Sequence, residues 1–456
     1  MKKPLALLFV LIFLLSPFCL YEARAVEPSN IRSRTAVLMD AQTGQVLYNK
    51  GMHQRVYPAS TTKILTALLV VENARPHEIM TVTETALEDV PWYGAHIALV
   101  PGEEISVEDA LFALMLPPAN DAANVLAEHV AGSVEAFTRM MTERAHAIGA
   151  VNSNFTNTHG LHCEYHYTTA YDMALITRHA MENEDFRFYF GAERHLMQPS
   201  NKNYERNWWN LQYMLLPESH VYCPYVTGGK VGFTNQARHT MSTSATRDGR
   251  TLICVVMYST GRRDKFLDTA ALLEFGFEEF EPFTVEREYF SGSELPVLQQ
   301  GRMAGRVVFE AREDFTALVH ISADVSQLQI RYQRPRFYNY GSPEPYIVRF
   351  EAPNALPFVP SLLGTVELEP TVDIPVMATV VSVYEPEEWR WQRSLRIAAM
   401  VLGGIVAVCL ILCLLLIIAR RRRIKKLRRL RMERRLREAA RGYYTNDDIY
   451  RRPKSR

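Results

Sequence analysis

Two apolar stretches frame the chain. Pro4 to about Leu20 is almost wholly apolar behind Lys2 and Lys3, and the segment closes on Ala23-Arg24-Ala25. A short apolar core behind basic residues, ending at an A-x-A site, predicts a cleaved export signal over residues 1–25; the alternative is an uncleaved anchor helix. Ile397 to Ala419 carries no charged residue, and Arg420, Arg421, Arg422 and Arg423 follow at once. That length spans a bilayer core of roughly 30 Å, and the basic flank belongs on the cytoplasmic side. The pattern predicts a single membrane helix over 397–419 and a cytoplasmic tail over 420–456, with Trp389 and Trp391 as interface anchors.

Between these stretches the patterning changes near residue 283. Before it, period-two and helical repeats mix. Thr35–Met39 and Gln45–Tyr48 alternate across Asp40-Ala41-Gln42-Thr43-Gly44 and predict a hairpin. Ile64, Leu65, Leu68 and Leu69 give a helix starting near Ser60 an apolar face. Ser106 caps a second helix that Pro117-Pro118 stops, since proline cannot extend the helical ladder. A short loop then holds Asn120, a third helix runs to about Val130 before Gly132, and a fourth covers Ser133–Ile148. His239–Ala245 and Leu252–Tyr258 predict a later hairpin across Arg247-Asp248-Gly249. Strands early, helices in the middle and strands late predict an α+β domain over 27–283, an antiparallel sheet with helices packed on it. After residue 283, short β-like runs dominate: Arg306–Glu310, Ala317–Ile321, Leu328–Tyr332, Tyr346–Phe350 and Met377–Val383. They predict a small all-β domain over 284–388.

The overall charge of +1 hides an asymmetry. Residues 420–456 hold 17 Lys/Arg against 4 Asp/Glu, a net +13, and residues 1–25 are +2, which leaves −14 for residues 26–419. The basic tail suits anionic headgroups of the inner leaflet; beside a membrane span this is a better fit than nucleic acid, which is not expected as a partner. Of the six cysteines, Cys163, Cys223 and Cys254 remain between the two apolar stretches. An odd number is no disulfide framework, and neither the cysteines nor the histidines show metal-ligand spacing. Neither a metal nor another cofactor is expected.

One short stretch carries candidate chemistry. In Tyr57-Pro-Ala-Ser-Thr-Thr-Lys63, Ser60 and Lys63 stand at i, i+3 at a helix start. That spacing puts both side chains on one face, beside free N–H groups that can stabilise an anion. A serine hydroxyl needs a base to take its proton. Lys63 serves only when neutral, which burial and a second cation nearby would favour. Capping and solvation of the first turn explain the same residues, so S-x-x-K alone is weak.

Two further stretches change the weight: Pro-Pro-Ala-Asn-Asp-Ala-Ala-Asn over 117–124, and Thr-Gly-Gly-Lys-Val-Gly-Phe-Thr over 227–234, with Lys230 at the entry to a strand. With these the chain resembles the serine penicillin-binding proteins and β-lactamases, whose motifs are S-x-x-K, S-x-N and K-T-G. Within them it resembles the low-molecular-mass D-alanyl-D-alanine carboxypeptidases over roughly residues 30–280. The stretches before the serine (36–50), in the middle (158–176) and late (230–246) follow that family in order and spacing. The resemblance implies a β-lactamase/transpeptidase-like fold and a peptidoglycan stem peptide as substrate, with β-lactams as inhibitors. It implies that Ser60 attacks the penultimate D-alanine carbonyl, Lys63 takes its proton, and Asn120 bonds Lys63 and the substrate amide. Lys230 supplies the second positive charge and helps hold the terminal carboxylate. The backbone N–H groups of Ser60 and Phe233, with Gly232 between Val231 and Phe233, form the oxyanion hole.

Two positions depart from the motifs. Pro118 stands where the serine of S-x-N would be, and Val231 where the threonine of K-T-G would be. Each removes a hydroxyl, and a lost bond to a charged group costs about 1.5–3 kcal/mol. Arg238, His239, Arg262, Arg263 and Lys265 are candidates for replacement contacts to a carboxylate. The expected activity is a membrane-anchored carboxypeptidase outside the cytoplasmic membrane. The rivals are a catalytically impaired stem-peptide-binding relative and, less well supported, a β-lactamase. His159 reads as part of a structural turn, Cys163 as a buried thiol, and Trp208 and Trp209 as core.

Overall fold

A computed structural model describes residues 28, 30–299, 302–339, 344–353 and 356–371. The expected export signal, the run Met377–Val383, Trp389, Trp391, the span at 397–419 and the basic tail lie outside the described residues. Among the described residues no helix is long and apolar enough to cross a membrane.

The chain opens with β1 (Thr35–Asp40) and β2 (Val46–Lys50), followed by a 3₁₀ turn (Ala59–Thr62) that leads straight into α1 (Lys63–Asn73). Next come β3 (Ile79–Thr81), α2 (Glu84–Glu88), β4 (Glu104–Ser106), α3 (Val107–Met115), α4 (Asn120–Ala131) and α5 (Val134–Ala147). Then follow α6 (Ala170–Ala180), α7 (Glu184–Phe190), β5 (Arg194–Met197) and β6 (Arg206–Trp209). The long strands β7 (Val226–Thr234), β8 (Arg238–Arg247) and β9 (Arg250–Ser259) precede α8 (Asp264–Glu278). Ser106 caps α3 as expected, its hydroxyl accepting from the Asp109 N–H, and Gly132 ends α4 at φ +77°; Ser133, expected as the first residue of a helix, caps α5 instead by accepting from the Ala136 N–H.

The main sheet is antiparallel in the order β2-β1-β9-β8-β7. Its two faces bury different halves of the same strands. Val37, Met39, Ile253, Val255 and Met257 pack with α1, α3, α4 and α6 in one core. Ala36, Leu38, Leu252, Cys254 and Val256 pack with Phe266, Leu272 and Phe275 of α8 in the other. Helices on both faces explain why β1 is buried at every position, where a one-sided sheet would alternate.

Two local expectations change. Asn120 opens α4 instead of lying in the preceding loop, because Pro117 and Pro118 take up the break and Ala119 is the last residue before the helix. Lys230 sits mid-strand in β7, not at its entry. The glycines before it are strand residues, since a Cβ on Gly228 would come within 2.3 Å of the Phe190 ring and one on Gly229 within 2.5 Å of Gln212.

Beyond α8 the described chain is all β: β10 (Phe280–Val285), β11 (Ser293–Gln299), β12 (Arg302–Glu310), β13 (Phe315–His320), β14 (Gln329–Gln333), β15 (Tyr338–Asn339), β16 (Tyr346–Glu351) and β17 (Leu362–Pro370). Six strands form one sheet, β14-β16-β17-β12-β11-β15, and β10 pairs with β13. Phe290, Phe309, Phe315, Tyr346 and Phe350 centre its separate core. Gln45 fastens this region to the main sheet by donating to the Leu318 carbonyl (2.6 Å) and accepting from the Leu318 N–H (2.8 Å).

Candidate active site

The 3₁₀ turn and α1 bring Ser60 and Lys63 to the edge of β7. Lys63 is fully buried. Its Nζ lies 3.3 Å from Ser60 Oγ, 2.7 Å from Asn120 Oδ1 and 2.7 Å from the His159 carbonyl oxygen. These three contacts define what the amine can do. Asn120 Oδ1 and the His159 carbonyl only accept, so a neutral amine spends both N–H groups on them. Its lone pair then faces the Ser60 hydroxyl. Burial holds the Lys63 pKa well below the ordinary lysine value, with Lys230 lowering it further and Asp121 partly opposing.

Lys230 is also buried, and donates to the Met115 carbonyl at 3.0 Å. Burial and then the Lys265 charge push its pKa down to about 7. Lys265 is in turn pushed down to about 8 by burial and by Arg262. A row of cations therefore runs from β7 to the start of α8.

Gly232 lets β7 approach the nucleophile. A Cβ there would stand 2.7 Å from the Ser60 nitrogen and 2.5 Å from Thr240 Oγ1. The Thr240 hydroxyl donates to the Pro58 carbonyl at 2.9 Å and pins the other side of the turn. Ala59 is held at φ +49°, a left-handed conformation that costs a non-glycine residue about 1 kcal/mol and sharpens the turn under Ser60.

Asn120 is placed by main-chain bonds: its N–H donates to the Ala95 carbonyl, while the Asp121 carboxylate accepts from the Ile97 and Leu99 N–H groups. The loop so anchored carries exposed Trp92 and Tyr93. A cavity of about 800 Å³ opens above Ser60 and Asn120, walled by Asp89, Pro91 and Tyr93, by His159–His162, and by Phe233–Gln236.

Of the six expected positions, Ser60, Asn120 and Phe233 line the cavity, while Lys63 and Lys230 are buried behind it and Gly232 packs against the Ser60 nitrogen. Val231 does not line the cavity; its side chain is buried with Met241 in the α8-side core. His159 is more than a structural turn, because its carbonyl is one of the two fixed acceptors of Lys63. No residue-type signal marks a main-chain carbonyl. Cys163 is half-buried, not buried. Trp208 is core and Trp209 half-exposed, and neither lines the cavity. Among the described residues no group of side chains could hold a metal ion.

The family model for D-alanyl-D-alanine carboxypeptidases matches residues 22–261. The chain is 30% identical over 287 residues to the D-alanyl-D-alanine carboxypeptidase DacF of Bacillus subtilis, covering 62% of this chain and 72% of that one. It is 29% identical over 281 residues to DacC of Escherichia coli, covering 60% and 68%. Among solved structures it is similar to penicillin-binding protein 5 of Haemophilus influenzae, with a TM-score of 0.58 and 26% identity over 75% of this chain and 97% of that one. A serine-to-alanine mutant of the Streptomyces K15 DD-transpeptidase superposes with a TM-score of 0.51 and 26% identity, covering 54% and 98%. The family match spans more than half of the chain and takes in Ser60, Lys63, Asn120 and Lys230, and the chain belongs to the D-alanyl-D-alanine carboxypeptidases.

Proposed function

We propose that the protein removes the terminal D-alanine from peptidoglycan stem peptides through an acyl-enzyme on Ser60. The observation that carries this is the buried Lys63 amine, 3.3 Å from Ser60 Oγ and held by two fixed acceptors that, when it is neutral, leave its lone pair for Ser60. Lys63 takes the hydroxyl proton as Ser60 Oγ bonds the penultimate D-alanine carbonyl carbon. The oxyanion is held by the N–H groups of Ser60 and Phe233, a contribution of about 3 kcal/mol per donor in comparable sites. Collapse breaks the C–N bond, and the leaving amine takes the proton from Lys63. Water then attacks the ester carbon, loses a proton to Lys63, and Ser60 departs with that proton restored.

Lys230 holds the substrate's terminal carboxylate, and Lys265 and Arg262 extend the positive field behind it. β-Lactams enter the same cleft and acylate the same oxygen. The family match and the assembled Ser60–Lys63–Asn120 contacts favour an active enzyme over an impaired relative that only binds stem peptides. We propose further that residues 1–25 direct export, that 397–419 anchor the protein in the cytoplasmic membrane with the cleft outside, and that the basic tail 420–456 lies on the inner leaflet.

The test is the intact mass of the purified chain after incubation with a penicillin, beside Ser60→Ala, followed by D-alanine release from a D-Ala-D-Ala peptide. One stable adduct that the variant lacks, with D-alanine released, is the expected result. No adduct on folded protein would leave only stem-peptide binding, and rapid penicillin turnover would make it a β-lactamase.

A further inference from the structure

Beneath the Ser60–Lys63 turn lies a buried histidine that none of the steps above uses. His166 is 1% exposed. Its Nδ1 accepts from the Thr156 N–H at 3.0 Å, so in the neutral ring the proton is on Nε2, which donates to Thr62 Oγ1 at 2.8 Å. Thr62 lies between Ser60 and Lys63 in the same turn. The ring is locked on a third side by the Phe155 edge.

The 154–168 segment that carries His166 also carries the His159 carbonyl, the acceptor that aims Lys63. That carbonyl must stay 2.7 Å from Nζ for the lone pair to keep its direction. Two other contacts hold the segment to α1 and α4, Thr66 Oγ1 donating to the Thr158 carbonyl and Thr158 Oγ1 donating to Asn124 Oδ1, and Gly160 packs against Ala59 and Thr62 of the 3₁₀ turn. The His166–Thr62 bond ties the segment directly to the nucleophile turn through side chains.

We infer that His166 is a positioning residue for acylation: as a neutral clamp on Thr62 it holds the His159 carbonyl and the Ser60 turn in register around Lys63. The inference rests on the acyl-enzyme reading above. Protonation would leave the Nε2–H bond to Thr62 but break the anchor that orients the ring, since Nδ1 would cease to accept from the Thr156 N–H. Burial first, then Lys63 of α1 and His162 of its own segment, push the pKa of His166 down to about 3, which keeps it neutral throughout the working range. The other titratable groups facing Lys63 are His159 of the same segment, Lys230 of β7 and Asp121 of α4.

The test is the rate of acylation by a penicillin, measured against pH on the full chain, for wild type, His166→Ala, His166→Gln and Thr62→Val. His166→Ala should acylate about tenfold or more slowly, as expected when a buried partner is left unpaired. Its acid limb should move to higher pH, because water entering the gap relieves the burial that most depresses Lys63. His166→Gln offers an acceptor and a donor side by side and should recover most of the rate. Thr62→Val, which keeps the shape but removes the acceptor, should reproduce the loss, and adding His166→Ala to it should cost little more. A lower melting temperature with unchanged rate and acid limb in His166→Ala would overturn the inference. If His166→Ala does not fold, Thr62→Val decides, and a wild-type rate there overturns it. Wild type that fails to acylate would instead refute the acyl-enzyme reading itself.

Discussion

Replacing Gly160 by alanine tests whether the segment over the lysine must touch the nucleophile turn. Gly160 sits at φ +88°, and a Cβ on it would lie 1.8 Å from the Ala59 carbonyl oxygen, 2.3 Å from the Ala59 carbonyl carbon and 2.8 Å from Thr62 Oγ1. Two of these are backbone atoms of the turn that presents Ser60, so no side-chain rotation relieves the contact. A carbon and an oxygen settle near about 3.3 Å, so the segment and the turn must part by about 1.5 Å. The His159 carbonyl, one residue away, goes with the segment and leaves Lys63. Misplacing a reacting group by about 1 Å costs about 100-fold in rate. Overpacking adds about 1–3 kcal/mol of instability, and the left-handed backbone about 1 kcal/mol. Stopped-flow acylation with a penicillin, beside thermal melting, reads both quantities. The expected outcome is a folded protein melting about 5–15 °C lower with an acylation about 100-fold slower. A Gly160→Ala variant that acylates at the wild-type rate would refute the reasoning, since the tight seat of Gly160 on Ala59 would then have no bearing on Lys63.

The buried charges and the apolar cores carry three more predictions. Lys230→Met removes the second-largest cause of the depressed Lys63 pKa, so the pH at which acylation switches on should rise; an acid limb at the wild-type position in stopped-flow profiles would contradict it. Val231→Thr puts a hydroxyl into the α8-side core, where an unpaired hydroxyl costs about 1–3 kcal/mol. It should lower stability in denaturant titration while leaving D-alanine release within about threefold of wild type. His166 is held neutral far below the unfolded pKa of 6.5, so the unfolded state binds the extra proton between the two values. Stability should therefore fall as pH drops below about 6.5, by at most about 1.4 kcal/mol per pH unit for this residue, and His166→Gln should show a shallower fall in urea titrations from about pH 6.5 to about pH 4.

How far the sequence reveals this arrangement depends on the kind of interaction. The hairpin at Thr35–Tyr48, the Ser106 cap and the Gly132 stop rest on local rules, and all are present. The serine, the lysines and Asn120 are legible because their residue types and spacing carry the chemistry. The glycines before Lys230 mislead, because they look like a loop and are strand residues shaved to fit Phe190 and Gln212. The helices α6, α7 and α8 escape a reading of the pattern. In α8, Phe266, Leu272, Phe275 and Phe277 are buried against the sheet, but so are Lys265, Asp268 and Thr269, which blurs the apolar stripe. The second acceptor of Lys63 is illegible for a different reason: any residue has a carbonyl, and only the closed loop from Asn154 to Thr168 brings that of His159 to Nζ.

The two missing motif hydroxyls acquire a physical explanation from the same geometry. Lys63 needs two fixed acceptors to direct its lone pair, and it takes them from an amide and a main-chain carbonyl. Neither depends on a side chain at position 118. Asn120 in turn needs a fixed backbone, and three features supply it: the Pro117-Pro118 stop after α3, the Ala119 N–H bonded to the Ala113 carbonyl, and the Asn120 N–H bonded to the Ala95 carbonyl. A proline at 118 has no N–H to satisfy, so at this buried break it leaves no donor without a partner, at the cost of a backbone held at φ +24°, which the proline ring opposes. At 231 the side chain is buried with Met241 in the α8-side core, where a valine packs better than a threonine. The base is therefore aimed without either hydroxyl, and what favours its competence is the burial that holds the Lys63 pKa well below the ordinary lysine value.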